Sequence, residues 1–245
     1  MNFLKDIFAR FFAIWALLLF VITLLIVFIP IAIAWLWKDP ARSRIFHRIS
    51  QVWMAFYLPL AGVWVRRKGK QYFEKGRTYI VICNHNSLLD VPLTTPGIPS
   101  ANKTIAKIEM AGIPVFGLIY KTGSVLVNRS NEESRRASFN EMKAVLQMGL
   151  HMCIYPEGTR NRTGAPLRPF HSGAFRLAAD TGYEILPAVL FHTAKVLRND
   201  RKFYFWPGVV EMHFLPSIPT AGQSPDQLRD RAFSLMKEYY EQHAQ

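Results

Sequence analysis

Between Phe11 and Trp37 the chain runs for 27 residues without a charged side chain. As a helix this stretch spans about 40 Å at roughly 1.5 Å per residue, more than the ~30 Å hydrocarbon core of a bilayer. It is too long for the apolar region of a signal peptide, and no small-residue cleavage site follows it. Pro30 allows a kink, so a tilted span and a re-entrant hairpin both remain open. Trp15, Trp35 and Trp37 lie towards its ends, where indoles favour the headgroup zone. The run is expected to be a membrane anchor.

Charge gives that anchor a direction. Lys38, Arg42, Arg44, His47 and Arg48 follow it, then Arg66, Arg67 and Lys68, while upstream Lys5 and Arg10 are offset by Asp6. The positive-inside rule then places the C-terminal part on the cytoplasmic face of the membrane. Val52 to Val65, apolar and aromatic but too short to cross, is expected to be an interfacial or buried helix. The chain thus divides into an anchoring segment, residues 1–65, and a larger domain, residues 66–245. Its 30 Lys and Arg against 17 Asp and Glu call for an anionic partner. No zinc spacing, aromatic RNA-binding motif or recognition-helix pattern is present, so nucleic acid is not expected. Anionic headgroups and phosphorylated substrates suit a basic domain at a membrane better. Cys83 and Cys153 each sit in an apolar run and are expected to be reduced, buried thiols; two cysteines alone make no metal site, and none is expected.

From Tyr79 onward apolar runs alternate with helical patterns. Tyr79–Cys83, Ser124–Val127 and Met152–Tyr155 read as strands. Ser130-Asn131-Glu132-Glu133 has the form of a capping box, and the helix it opens closes near Gly149. Strand, helix and strand at this spacing form a βαβ unit, hence a parallel sheet. A helix over His171–Thr181, strands at Glu184–Leu190, Phe203–Trp206 and Val209–Leu215, and a last helix from Ser224-Pro225-Asp226 complete the pattern. The fold class is α/β: a mixed, largely parallel sheet flanked by helices, behind an N-terminal membrane-anchoring helical segment.

Chemistry concentrates where strands end. Asn84-His85-Asn86-Ser87-Leu88-Leu89-Asp90 follows the first strand and offers a proton acceptor with a carboxylate nearby to fix its tautomer. Ser87-x-x-Asp90 equally fits a capping box, in which Asp90 only starts a helix. Asn128-Arg129 ends the second strand and Tyr155-Pro156-Glu157-Gly158-Thr159-Arg160 the third. Parallel strands share one carboxyl edge, so Arg129 and Arg160 can converge there with His85, and guanidinium groups bind phosphate through paired hydrogen bonds. Singly, each turn is also an ordinary solvated or tight turn. Gly-x-Ser-x-Gly is absent, which argues against a lipase-like triad.

In order and spacing, the turns together resemble the 1-acyl-glycerol-3-phosphate acyltransferases and the wider glycerophospholipid acyltransferase family, over most of residues 79–190. Asn84-His85 with Asp90 matches the first family block, and Gly123 through Asn128-Arg129 the second. Tyr155-Pro156-Glu157-Gly158-Thr159-Arg160-Asn161 matches the third, and Ile185-Leu186-Pro187-Ala188-Val189 the fourth. Lys107 resembles the basic position between the first two. Tyr155 replaces the usual Phe, Asn161 the usual Ser, and His171 stands where many relatives carry Lys.

The resemblance implies that residues 66–245 form an acyltransferase domain. In it His85, oriented by Asp90, acts as general base on an acceptor hydroxyl. The oxygen attacks an acyl thioester of coenzyme A or acyl carrier protein, a co-substrate rather than a resident cofactor. Arg129 and Arg160, assisted by Lys107, would hold the acceptor's phosphate, with Gly158 and Thr159 lining the site. Glu157, expected among cations that keep it ionised, would orient an arginine or the acceptor. The acceptor implied is a lysophospholipid, 1-acyl-glycerol-3-phosphate. Another lysolipid, glycerol 3-phosphate, or a non-catalytic membrane-binding scaffold are the alternatives.

Overall fold

The computed structural model describes residues 3–244. A long helix α1 (Phe3–Ala34) is followed by α2 (Ala41–Leu60) and strand β1 (Val63–Lys68). Then come β2 (Ile80–Cys83), α3 (Asp90–Gly97), β3 (Asn102–Lys107), α4 (Phe116–Gly123), β4 (Ser124–Val127), α5 (Glu132–Gln147) and β5 (His151–Ile154). The chain closes with α6 (Gly173–Thr181), β6 (Ile185–Phe191), α7 (Thr193–Val196), β7 (Gly208–Phe214) and α8 (Pro225–His243). The seven strands form one sheet in the order β1-β7-β6-β2-β5-β3-β4. Every neighbouring pair is parallel except β6 with β7.

Alternation along β2 explains the layers. Ile80 and Ile82 join a core with α5, α6 and α8, whereas Val81 and Cys83 join a second core with α2 and α3 on the opposite face. Strands buried on both faces read as continuous apolar runs, which is how β2, β5 and β6 appear in sequence. The two thiols are buried and free, their sulfurs 3.9 Å apart on adjacent strands, and burial pushes the Cys83 thiol up.

Several elements depart from expectation. Val52 to Val65 is not one helix: α2 ends at Leu60, and β1 pairs in register with β7 from Val63–Gly208 to Lys68–His213. The division after residue 65 therefore falls inside a strand of the sheet. Phe203–Trp206 is not a strand; Phe203 has φ +51°, which interrupts extended backbone, and only Phe205 bridges to Leu197. The cap of α5 is Asn131, whose side chain accepts from the Ser134 N–H, one residue beyond the expected Ser130. Helix α8 starts at Ser224-Pro225-Asp226 as expected, and a capping box between Ser224 and Gln227 closes its first turn.

Helix α1 runs through Pro30 without a break and is long and apolar enough to cross a membrane by length and composition. One stripe of small and aliphatic residues, Ala9, Ala16, Leu24, Ile31 and Ala34, is buried, while Phe8, Phe11, Leu18, Ile22, Ile26 and Ile29 are exposed. The buried stripe lies along the domain. Trp15 Nε1 donates to the Leu60 carbonyl, Trp53 Nε1 to Thr23 Oγ1, and Trp35 Nε1 to Thr122 Oγ1, at 2.8–2.9 Å.

The turn between α1 and α2 is pinned to the sheet by a nearly buried ion pair, Lys103 Nζ to Asp39 Oδ2 at 2.8 Å. Burial alone would raise the Asp39 carboxyl, but hydrogen bonds from Lys103, Ser43 and Arg42 outweigh it and hold the group at about 2. Removing one partner of a buried pair strands the other charge, so Lys103→Met is expected to destabilise the protein by about 3 kcal/mol. Because the folded pKa of Asp39 is lowered, its contribution is complete above the ordinary value of 3.8 and lost as pH falls through about 2. Thermal unfolding in detergent should accordingly show the same Lys103→Met deficit at neutral and mildly alkaline pH.

Candidate active site

β2 lies at the centre of the sheet, between β6 and β5. The connection leaving β2 passes through α3 on one face, and that leaving β5 passes through α6 on the other. Connections diverging from adjacent parallel strands open a crevice at their carboxyl ends, the usual ligand position in such sheets. The turns after β2 and β5, residues 84–90 and 155–161, meet there.

The first turn is organised by one oxygen. Asp90 Oδ2 accepts from the backbone N–H groups of Asn86 and Ser87, at 2.6 and 2.7 Å, and lies 2.8 Å from His85 Nδ1. The expected capping box does not form: the residue before α3 is Leu89, which makes no side-chain cap bond, while Ser87 Oγ accepts from the Leu89 N–H, so Asp90 closes the turn from the first residue of the helix. Helix α3 begins at Asp90 itself, and its carboxylate is fully buried. An ionised Asp90 fixes the proton of His85 on Nδ1 and leaves Nε2 as the nitrogen that can accept another. Asn84 staples the turn to β6 by exchanging two bonds with the Leu190 backbone: Nδ2 to the carbonyl at 3.0 Å, and Oδ1 from the N–H at 2.7 Å.

The second turn supports the first from the other side. Glu157 is 1% exposed. Its Oε1 accepts from the His85 N–H at 2.7 Å and its Oε2 from the Arg168 N–H at 3.0 Å. The expectation that Glu157 sits among cations is corrected: both oxygens hold backbone, and burial raises the carboxyl above its ordinary range, against those two hydrogen bonds. The ring of Tyr155 lies 4.4 Å from that of His85, tilted by 31°, and the Tyr155 hydroxyl pairs with Thr94 Oγ1 at 2.7 Å. Asn161 N–H donates to the His85 carbonyl at 2.6 Å, so His85 is gripped at its nitrogen, its carbonyl and its ring.

The cationic residues divide. Exposed Arg129 donates from Nη1 to the Gly158 carbonyl at 2.5 Å, joining the turns after β4 and β5. Arg160, half-buried, donates from Nη1 to Asn199 Oδ1 at 2.9 Å. Lys107 ends β3 opposite Val127 of β4, exposed on the same carboxyl edge, and Thr159 is exposed in the β5 turn. Gly158 has φ +69°, and a Cβ there would come within 2.8 Å of the His171 ring. His171, where many relatives of the resembled family carry Lys, therefore packs against the turn that Arg129 binds. Among the described residues no group of three or more His, Cys, Asp or Glu is arranged to hold a metal.

A family model described as Acyltransferase matches residues 64–191, more than half of the chain. The chain belongs to the acyltransferase family. Its family block thus begins in β1 and ends at the close of β6, and it contains both turns of the crevice. The 1-acyl-sn-glycerol-3-phosphate acyltransferase of Haemophilus influenzae is 28% identical over 198 residues, covering 80% of this chain and 79% of that protein. The alpha form from Mus musculus is 29% identical over 178 residues, 72% of this chain and 62% of that protein, so the chain spans about three-fifths of this mammalian relative. The crystal structure of the 1-acyl-sn-glycerophosphate acyltransferase PlsC from Thermotoga maritima superposes with a TM-score of 0.79, covering 99% of this chain and 97% of that one. At 20% identity this likeness extends the fold match to the N-terminal helices that the family model leaves out.

The motif spacing alone brings His85 and Asp90 together. It does not reveal that Glu157 holds the His85 backbone or that Asn84 reaches β6, because those partners lie 72 and 106 residues away. Glu157→Gln keeps the shape but turns an amide N–H towards a backbone N–H, which leaves a buried donor unpaired. It is expected to lower turnover by about 10- to 100-fold through misplacement of His85. Steady-state kinetics beside an unchanged far-ultraviolet dichroism spectrum would check this.

Proposed function

We propose that this chain is a membrane-bound O-acyltransferase that moves an acyl group from a thioester to the sn-2 hydroxyl of 1-acyl-glycerol-3-phosphate, giving phosphatidic acid. The observation that carries the reading is the His85–Asp90 pair, 2.8 Å apart at the carboxyl edge of the central strand. Arg129 and Arg160 stand in the turns after β4 and β5, Lys107 ends β3 on the same carboxyl edge, and the relatives named for this reaction match most of the chain.

The mechanism follows from the pair. His85 Nε2 takes the proton of the acceptor hydroxyl as its oxygen attacks the thioester carbonyl. Asp90 stabilises the imidazolium through Nδ1–H. The tetrahedral intermediate collapses, the carbon–sulfur bond breaks, and the leaving thiolate receives the proton from His85. General-base assistance of this kind contributes roughly 10²- to 10⁴-fold. Arg129, Arg160 and Lys107 hold the acceptor phosphate and so orient the hydroxyl, an entropic contribution that can exceed that of the base. The thioester supplies the acyl group as a co-substrate on coenzyme A or acyl carrier protein, so the chemistry as written uses neither a metal nor a resident cofactor.

The bilayer supplies the acceptor. Helix α1 touches the domain near both of its ends, through Phe205 N–H to the Ala9 carbonyl at 3.2 Å and through Trp35 to Thr122. A helix fixed at both ends to one domain presents its exposed flank, with Val52, Phe56 and Leu60 of α2 and Trp64 of β1, to the membrane from the side. Lys38, Arg44 and Arg48 then face anionic headgroups on the cytoplasmic leaflet.

Membranes carrying wild type or His85→Ala, given labelled acyl-coenzyme A or acyl-carrier protein with lysophosphatidic acid, test the assignment. Transfer by wild type and a loss of at least about 10²-fold in the variant are expected. Dephosphorylating the acceptor should lower kcat/KM, and Arg129→Ala or Arg160→Ala should reduce the preference for the phosphorylated acceptor. Transfer to a different lysolipid or to glycerol 3-phosphate would reassign the acceptor. The absence of transfer to any acceptor would favour a membrane-binding scaffold.

A further inference from the structure

Beyond the family block, residues 192–207 form a strap bonded to the turns after β2 and β5. α7 leads into it, and the strap is closed on itself by the Leu197–Phe205 bridge and by Trp206 N–H to the Val196 carbonyl at 2.8 Å. Its inner side touches the first turn twice. Ser87 Oγ donates to the Leu197 carbonyl at 2.8 Å, and Asn199 Nδ2 donates to the Asn86 carbonyl. The other end of the same Asn199 amide accepts from Arg160 Nη1. One side chain therefore joins the backbone beside His85 to a guanidinium of the second turn. Its outer side is fastened to the anchor, by Arg201 Nη1 to Asp6 Oδ1 at 2.9 Å and by Phe205 N–H to the Ala9 carbonyl.

We infer that Asn199 is a positioning residue for acyl transfer, setting the distance and angle between the His85 base and the Arg160 guanidinium through one amide. The inference rests on the acyl-transfer reading above. An amide suits the task because it donates at one end and accepts at the other, whereas a carboxylate only accepts and an ammonium only donates. Fixing Arg160 in the absence of substrate holds its planar fork in place before the phosphate arrives, which is where orientation contributes most. The Asn86 carbonyl lies one residue from His85 and shares its turn with the Asp90 bonds, so releasing it loosens the base from the side opposite Glu157.

The test compares Asn199→Ala, Asn199→Asp, Arg160→Ala and the Asn199→Ala/Arg160→Ala pair in lipid-reconstituted full-length protein. Asn199→Ala should lower kcat/KM for lysophosphatidic acid by about 10- to 100-fold, the range for misplacement without loss of a reacting group. Asn199→Asp keeps an acceptor for Arg160 but no donor for Asn86, so it should retain KM and lose kcat. In the pair, the Asn199 change should add less than about threefold to the KM rise of Arg160→Ala, because both affect KM through one contact, while the kcat loss through Asn86 remains. Wild-type rates in Asn199→Ala, or KM effects that multiply fully in the pair, would overturn the assignment. Amide hydrogen exchange supplies a readout independent of substrate: residues 84–90 should exchange about tenfold faster in Asn199→Ala. If wild type transfers no acyl group to lysophosphatidic acid, the acceptor reading fails, and unchanged exchange over 84–90 would then separately refute the positioning role.

Discussion

Asp90 Oδ2 receives two backbone N–H groups and faces the Nδ1 of His85, and the conformation of the whole turn after β2 depends on that convergence. Charge-assisted bonds to a buried carboxylate are short and directional, and with three of them on one oxygen the turn has little freedom left. The same oxygen closes the turn and faces the imidazole because His85 and the start of α3 lie within the same six residues. Spacing of His and Asp is then a geometric requirement. One residue more or less would carry Asp90 around the start of α3, away from the imidazole.

Support for that turn comes from both neighbours of the central strand. From β6, the Leu190 backbone is met by the amide of Asn84, which continues the sheet's hydrogen bonding beyond the end of β2. From the β5 turn, Glu157 reaches back to the His85 nitrogen. Burial outweighs the two backbone hydrogen bonds that favour the ionised form of Glu157, and protonating either oxygen would weaken the bond that oxygen accepts. Glu157 thus belongs to the scaffold of the site, with Arg129, Lys107 and Thr159 on the accessible side where a substrate would arrive.

What the sequence made legible follows burial. β2, β5 and β6 are apolar on both faces and announce themselves as short apolar runs. β1 and β3 do not. Val63-Trp64-Val65-Arg66-Arg67-Lys68 is an edge strand whose exposed cations discourage further pairing, and it reads like the end of an interfacial helix. β3 holds Asn102 and Lys103 buried at its start, tolerable only because Thr95, Ser100 and Asp39 supply partners from elsewhere in the chain. Phe203–Trp206 misleads in the opposite sense: aromatic residues suggest a strand, but here they belong to a strap, with Phe203 61% exposed. The His–Asp pair is local and visible, whereas Glu157 and Asn199 act across 72 and 113 residues and leave no periodic trace.

The packing of α1 links these scales. A helix that is only an anchor needs only apolar length, yet α1 meets the domain along a buried stripe in which the small residues Ala9, Ala16 and Ala34 alternate with Leu24 and Ile31. Small side chains allow close approach and let tryptophan N–H groups reach across, which matters because an unpaired donor in lipid is costly. The helix is thereby a wall of the domain as well as its attachment. On the proposed reading, an acceptor lipid entering from the bilayer would meet first α1, then the strap fastened to Asp6 and Ala9, and then the turn that carries His85. Each of these contacts is held by hydrogen bonds to the next, so on the same proposed reading the depth of α1 in the bilayer would set where His85 stands relative to the lipid's hydroxyl.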